Sequence, residues 1–237
     1  MIKAVVFDMD GLMLDTERVH ARAWDIIGEE MRGEKLSWLL DKCLGLPPAN
    51  ESKVVWEAIG SDFDYFEFNR RVLKCTDEII EREGVPLKKG IVELLEYLKE
   101  KGIKAAVASS SFSELATKHL KLGGLFPYFS GACFGDQVKN GKPDPEIYVT
   151  AAKQVGSEPY ETIVLEDSFN GIRGAFSGGF LPIMVPDTVG PTEEIKSKAL
   201  VVCESLLDVI DLLNNQEKLE SLKKDFFLRR EKITALK

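Results

Sequence analysis

Between residues 91 and 203 the chain alternates short apolar runs with segments of helical period. That alternation restricts its fold more than any other feature. Helix-period segments at 91–101, 113–122, 145–155 and 169–177 separate apolar runs at 103–108, 131–134, 162–165 and 180–185, and a further strand is expected at 199–203. Strands joined through helices form βαβ crossovers, and crossovers build a mostly parallel sheet. One more apolar run, residues 2–7, stands alone near the start. From about residue 15 to residue 87 no strand pattern appears. Helical segments are expected there at 16–31, 36–43, 50–59 and 63–83, punctuated by Pro47-Pro48 and Gly60-Ser61. The expected architecture is therefore α/β: a core of residues 1–14 and 88–237, interrupted just after its first strand by an all-helical insertion of residues 15–87. Residues 216–237, charged with interspersed Leu and Phe, are expected to form an amphipathic packing helix.

Composition narrows the class. The 237 residues suffice for one large domain or two unequal ones, and 44% hydrophobic with 30% charged residues suits a globular chain rather than a disordered one. No apolar stretch reaches the roughly 18–20 residues needed to cross a bilayer. The N-terminal run is too short for a signal peptide, ending at Asp8. Cys43, Cys75, Cys133 and Cys203 are scattered and form no Cys-x-x-Cys pair. A reduced, cytoplasmic protein without membrane partners is expected, with a monomer favoured. A net charge of −8 argues against nucleic acid as a partner, because non-specific binding needs a basic surface.

The chemistry concentrates where strands end. Asp8-Met9-Asp10-Gly11 follows the first apolar run. In an extended chain, residues i and i+2 share a face, so Asp8 and Asp10 project together. Paired carboxylates repel unless a cation or a shared proton intervenes, and Gly11 lets a ligand approach the backbone. This points to a divalent metal and phosphoryl chemistry. In open parallel sheets the ligand crevice lies beyond the carboxyl ends of the strands. The strand at 103–108 runs into Ser109-Ser110-Ser111, and the one at 162–165 runs into Glu166-Asp167-Ser168; Lys142 stands between Gly141 and Pro143. Each signal alone has a plain structural explanation, as a turn, a helix cap or a solvated lysine. Their order and placement together do not.

With these residues the chain resembles the haloacid dehalogenase superfamily of phosphohydrolases, in the β-phosphoglucomutase-like branch that carries a helical cap after the first motif. Asp8-x-Asp10-Gly11 matches the first motif, Ser109 the second, Lys142 the third and Glu166-Asp167 the fourth. The resemblance implies a Rossmann-like core, a mobile cap, Mg²⁺ and a transient aspartyl-phosphate. Asp8 would be the nucleophile and Asp10 the general acid/base. Asp8, the backbone carbonyl of Asp10 and Asp167 would hold Mg²⁺, with Glu166 binding directly or through water. Ser109, Ser110 and the amides after Ser109 would bind phosphoryl oxygens, and Lys142 would offset the negative charge. Mutase-like members carry a histidine at the spacing of His20, which gives that residue a substrate-side role as well as its plain reading as a half-exposed helix residue.

The insertion should set specificity. The loop Gly45-Leu46-Pro47-Pro48 stands where β-phosphoglucomutase presents an arginine for a second phosphate, and no basic residue follows before Lys53. A mutase must hold a bisphosphate at two anion sites. The expected function is therefore Mg²⁺-dependent hydrolysis of a small phosphorylated metabolite, a sugar phosphate or similar, with a phosphosugar mutase as the alternative. A dehalogenase is disfavoured, since halide displacement needs neither Asp10 nor the Glu166-Asp167 pair. Trp24, Trp38 and Trp56 are expected to fill the core of the insertion.

Overall fold

The computed structural model describes all residues except Leu44, Gly45, Pro47, Thr188, Leu236, Lys237 and the side chain of Pro48. The reading of the 45–48 loop thus falls outside the described residues. Backbone contacts divide the chain into two compact units, Met1–Leu14 with Pro86–Lys237, and Asp15–Val85.

The larger unit is built on six parallel strands: β1 (Ala4–Phe7), β2 (Lys104–Ser109), β3 (Gly131–Phe134), β4 (Thr162–Glu166), β5 (Leu181–Met184) and β6 (Val201–Val202). Their spatial order is β3-β2-β1-β4-β5-β6, so the first strand lies at the centre. After β3 the chain crosses to the far side of β1. The boundary between β1 and β4 is the topological switch point, where the crevice of a doubly wound sheet opens. The helices are α5 (Ile91–Glu100), α6 (Ser113–Leu122), α7 (Glu146–Gln154), α8 (Phe169–Ser177), α9 (Glu193–Lys198), α10 (Leu206–Asn214) and α11 (Gln216–Ala235). Ala4 and Val6 of β1, Ala106 and Ala108 of β2 and Val164 of β4 form one buried cluster with Ile147, Tyr148 and Ala151 of α7 and Ala175 of α8. Right-handed crossovers place α5 and α6 on the other face.

The strand expected at 199–203 shrinks to two residues. Ala199 still closes α9 through its amide to the Ile195 carbonyl; Val201 and Val202 are in register with β5, and the flanking Leu200 and Cys203 amides donate to the Pro182 and Met184 carbonyls. Helix α10 had no counterpart in the sequence reading. Helix α11 is present but hardly amphipathic: among its described residues only Leu219 and Phe226 are buried.

The smaller unit holds α1 (Thr16–Arg32), α2 (Leu40–Cys43), α3 (Pro48–Ile59) and α4 (Tyr65–Glu83). Asp64 caps α4 by accepting from the Glu67 amide at 3.1 Å. Trp24 is fully buried and meets Phe68 edge to face at 4.9 Å. Trp38 corrects its expectation: it is 52% exposed, and the Lys42 ammonium sits 5.6 Å from its ring. A cation can cover an aromatic face that the core leaves open.

Candidate active site

Strand register decides which acidic groups meet. Phe7 pairs with Leu165, and the Asp8 amide donates to the Leu165 carbonyl at 3.0 Å. Asp8 and Glu166 therefore sit side by side at the ends of β1 and β4. Val6 and Val164 face α7, so two residues further along Asp8 and Glu166 project to that same face.

Lys142 closes this arrangement from the loop before α7, and its peptide bond to Pro143 is cis. The ammonium donates to Asp8 Oδ1, to Glu166 Oε1 at 2.6 Å and to the Ala108 carbonyl at 3.0 Å. One buried cation thus ties together the ends of β1, β4 and β2. Burial opposes its charge, but Asp8 and Glu166 more than reverse that and raise its pKa well above the ordinary lysine value.

Glu166 is completely buried. Its Oε1 also accepts from the Tyr148 hydroxyl at 2.6 Å, and its Oε2 accepts from the Ser168 hydroxyl at 2.8 Å and the Ser168 amide at 3.3 Å. The Tyr148 ring lies 5.2 Å from the Lys142 ammonium. Glu166 is therefore committed to protein donors on both oxygens, which narrows its reading as a metal ligand: its first partner is Lys142.

Asp167, the next residue, turns to the other side and lies against Gly11. A Cβ at Gly11 would stand 2.3 Å from Asp167 Oδ2, and Gly11 has φ +83°. Both the close approach and the left-handed backbone require glycine there. Carboxylate oxygens of Asp8, Glu166 and Asp167 all lie within 4.8 Å of one another. Burial, and then the neighbouring carboxylates, push Asp8 up to about 8 and Asp167 up to about 9. Lys142 is bonded to both Asp8 and Glu166 of this acidic set. Crowded hard oxygen donors with excess negative charge suit Mg²⁺.

Asp10 begins a tight turn in which the Gly11 amide donates to the Leu14 carbonyl at 2.9 Å. Its Oδ2 accepts from the Ser111 hydroxyl at 2.8 Å. Ser109 is buried as the last residue of β2, and its hydroxyl oxygen accepts from the Ser111 amide at 3.1 Å; Ser110 is exposed. The Ser113 amide donates to Asp136 Oδ1 at 2.8 Å. Two of the amides following Ser109 are thus already bonded within the protein.

His20 lies half-buried on α1 and is bonded within the helical unit. Its Nε2 accepts from the Trp24 indole at 3.0 Å, and its Nδ1 lies 3.3 Å from the Thr76 hydroxyl. That hydroxyl donates to the Val72 carbonyl at 2.9 Å, so the proton in the histidine contact belongs to Nδ1. Both ring nitrogens are taken, and burial lowers the pKa of the ring to about 4. A substrate-side role finds no free nitrogen here.

Sequence reasoning passed over Tyr148 and the Ser111–Asp10 bond. Tyr148 sits in the first turn of α7, directly after the Lys142 loop, and a buried hydroxyl beside a lysine motif was the available signal.

The comparisons agree with this geometry. The family model of haloacid dehalogenase-like hydrolases matches residues 2–179. A phosphorylated carbohydrates phosphatase of Thermotoga maritima is 34% identical over 178 residues, covering 75% of this chain and 82% of the relative. Hexitol phosphatase B of Escherichia coli is 28% identical over 194 residues, covering 78% of this chain and 84% of the relative. The crystal structure of a candidate β-phosphoglucomutase of Thermotoga maritima superposes with a TM-score of 0.79 at 29% identity, covering 91% of this chain and all of that one. A central parallel sheet carrying acidic motifs at its switch point, matched along three quarters of its length, makes this chain a member of the haloacid dehalogenase-like hydrolase family, in its β-phosphoglucomutase-like branch.

Proposed function

We propose that the protein is a Mg²⁺-dependent phosphatase that hydrolyses a small phosphorylated metabolite, a sugar phosphate or a similar polyol phosphate, through an aspartyl-phosphate on Asp8. One observation carries the reading: Lys142 is bonded to Asp8 at the switch point, and carboxylate oxygens of Asp8, Glu166 and Asp167 lie within 4.8 Å of one another. Asp8 attacks phosphorus, so an oxygen–phosphorus bond forms as the ester oxygen–phosphorus bond breaks. Asp10 gives its carboxyl proton to the leaving oxygen, then takes a proton from the water that attacks the phosphorus. The bond to Asp8 breaks, and inorganic phosphate leaves with the carboxylate restored. Lys142 neutralises Asp8 as the anionic ester approaches, and Ser109 binds a phosphoryl oxygen. Asp8, the Asp10 carbonyl and Asp167 would hold Mg²⁺, which would supply Lewis-acid charge to the phosphoryl group. The printed names of the carbohydrate-phosphate and hexitol relatives support the substrate class.

The test is phosphate release from a panel of sugar and polyol phosphates and p-nitrophenyl phosphate. Asp8→Asn is expected to lose nearly all turnover while staying folded. EDTA is expected to abolish activity and Mg²⁺ to restore it. Substantial turnover by Asp8→Asn, or activity indifferent to EDTA, rejects the reading.

A further inference from the structure

The segment that follows β3 grips the serine loop at three points. The Gly135 amide donates to the Ser111 carbonyl at 3.0 Å. Gly135 packs so closely on Ser110 that a Cβ would fall 2.1 Å from its carbonyl oxygen, a backbone atom with no freedom to give way. Asp136 accepts from the Ser113 amide at 2.8 Å and from the Ser113 hydroxyl at 2.6 Å. Those bonds hold the Asp136 carboxyl below its ordinary pKa and close the first turn of α6. Between the gripped residues lies Ser111, whose hydroxyl donates to Asp10. Asp136 touches none of Asp8, Asp10, Lys142 or Asp167 through a hydrogen bond, and the surface around it is open to solvent.

We propose that Gly135 and Asp136 are positioning residues of the proton-transfer step, acting through Ser111 on the orientation of Asp10. The inference rests on the phosphatase reading above. The Ser111 hydroxyl holds one oxygen of the Asp10 carboxyl, and the backbone of Ser111 is itself fixed from the segment after β3. Loosening the grip lets the Ser111 hydroxyl drift, and a proton donor misplaced by about 1 Å costs on the order of a hundredfold in rate.

The dependence on leaving group isolates this role. An alkyl phosphate such as a sugar phosphate expels a strongly basic alkoxide and needs the proton from Asp10. p-Nitrophenolate is stable without one, and kcat/KM reports the steps up to loss of the leaving group. Asp136→Ala is therefore expected to lower kcat/KM for the sugar phosphate by about tenfold to a hundredfold, and that for p-nitrophenyl phosphate by less than about threefold. Asp136→Asn keeps an acceptor for the Ser113 amide and is expected to stay within about threefold of wild type on both substrates. A second variant guards against misfolding. Ser113 opens α6, where proline is tolerated, and the preceding Phe112 already has φ −64° and ψ 145°. Ser113→Pro removes both donors to Asp136 while keeping the helix, and is expected to reproduce the selective loss. Equal losses on both substrates, or no loss in Ser113→Pro, overturn the proposal. A wild-type protein that releases no phosphate from any ester overturns the phosphatase reading instead, so the two failures are distinguishable.

Discussion

Lys142 serves the fold as well as the proposed chemistry. Its ammonium is the partner of a completely buried Glu166, so replacing it leaves a carboxylate in the interior without a counter-ion. Breaking one side of a buried pair typically costs about 3–5 kcal/mol. Lys142→Met is expected to lose that much stability in urea unfolding and to fall by at least about a hundredfold in turnover. Adding Glu166→Gln is expected to restore part of the stability and none of the activity. A single variant as stable as wild type would show that Glu166 is held by Tyr148 and Ser168 alone. His20 makes a different prediction. Its pKa in the folded chain, about 4, lies below the unfolded value of 6.5, so the unfolded state takes up the proton first. The stabilisation is complete above pH 6.5 and lost as pH falls toward 4, on the order of 3 kcal/mol across that window. His20→Gln is expected to flatten this part of the stability profile. An unchanged slope between pH 6.5 and 4 would mean that the ring is not held neutral. At this scale Asp8, Asp10 and Asp167 were legible as polar residues following apolar runs, and Lys142 as a lysine held between Gly141 and Pro143. Tyr148, Ser111 and the closed environment of His20 were not, because they depend on which helix face meets which strand, a tertiary choice that local spacing does not contain.

Among the elements, α11 depends on a polar anchor. With only Leu219 and Phe226 buried among its described residues, its apolar grip is narrow. Arg229 compensates by donating to the carbonyls of Lys196 at 3.2 Å, Ser197 at 2.8 Å and Ala199 at 3.1 Å, the otherwise unsatisfied end of α9. Arg229→Ala is expected to lose about 1–3 kcal/mol of local stability, seen as faster hydrogen exchange in α11 with β1 and β4 unaffected. Uniform exchange across α11 in both proteins would assign the docking to Leu219 and Phe226 instead. The elements readable from sequence were those whose period is set by one dominant partner. Helices α6 and α8 and strand β3 have the bounds their apolar spacing indicates. Helix α10 was passed over although its period is readable: Leu206, Val209, Leu212 and Leu213 are buried, while Asp208, Asp211 and Asn214 mark the polar face. At the sheet edge, β6 was overestimated at its start because Ala199 still belongs to the end of α9.

For the whole molecule, product identity separates hydrolysis from transfer. Offered β-glucose 1-phosphate, the protein is expected to release inorganic phosphate and to form no glucose 6-phosphate; rapid isomerisation with catalytic bisphosphate would favour the mutase. The alternation of apolar runs with helix-period segments made the α/β core legible, and the strandless stretch after the first run made its helical insertion legible. The connection between core and insertion was less visible. Leu14 forms an antiparallel bridge with Leu87, and the Lys88 amide donates to the Met13 carbonyl at 2.9 Å. Departure and return therefore share one narrow doorway in the backbone. Closing a loop whose ends already touch costs little more when the loop grows, since the penalty rises only with the logarithm of its length. Evolution can lengthen, shorten or exchange what hangs from that doorway without rethreading a single strand of the sheet.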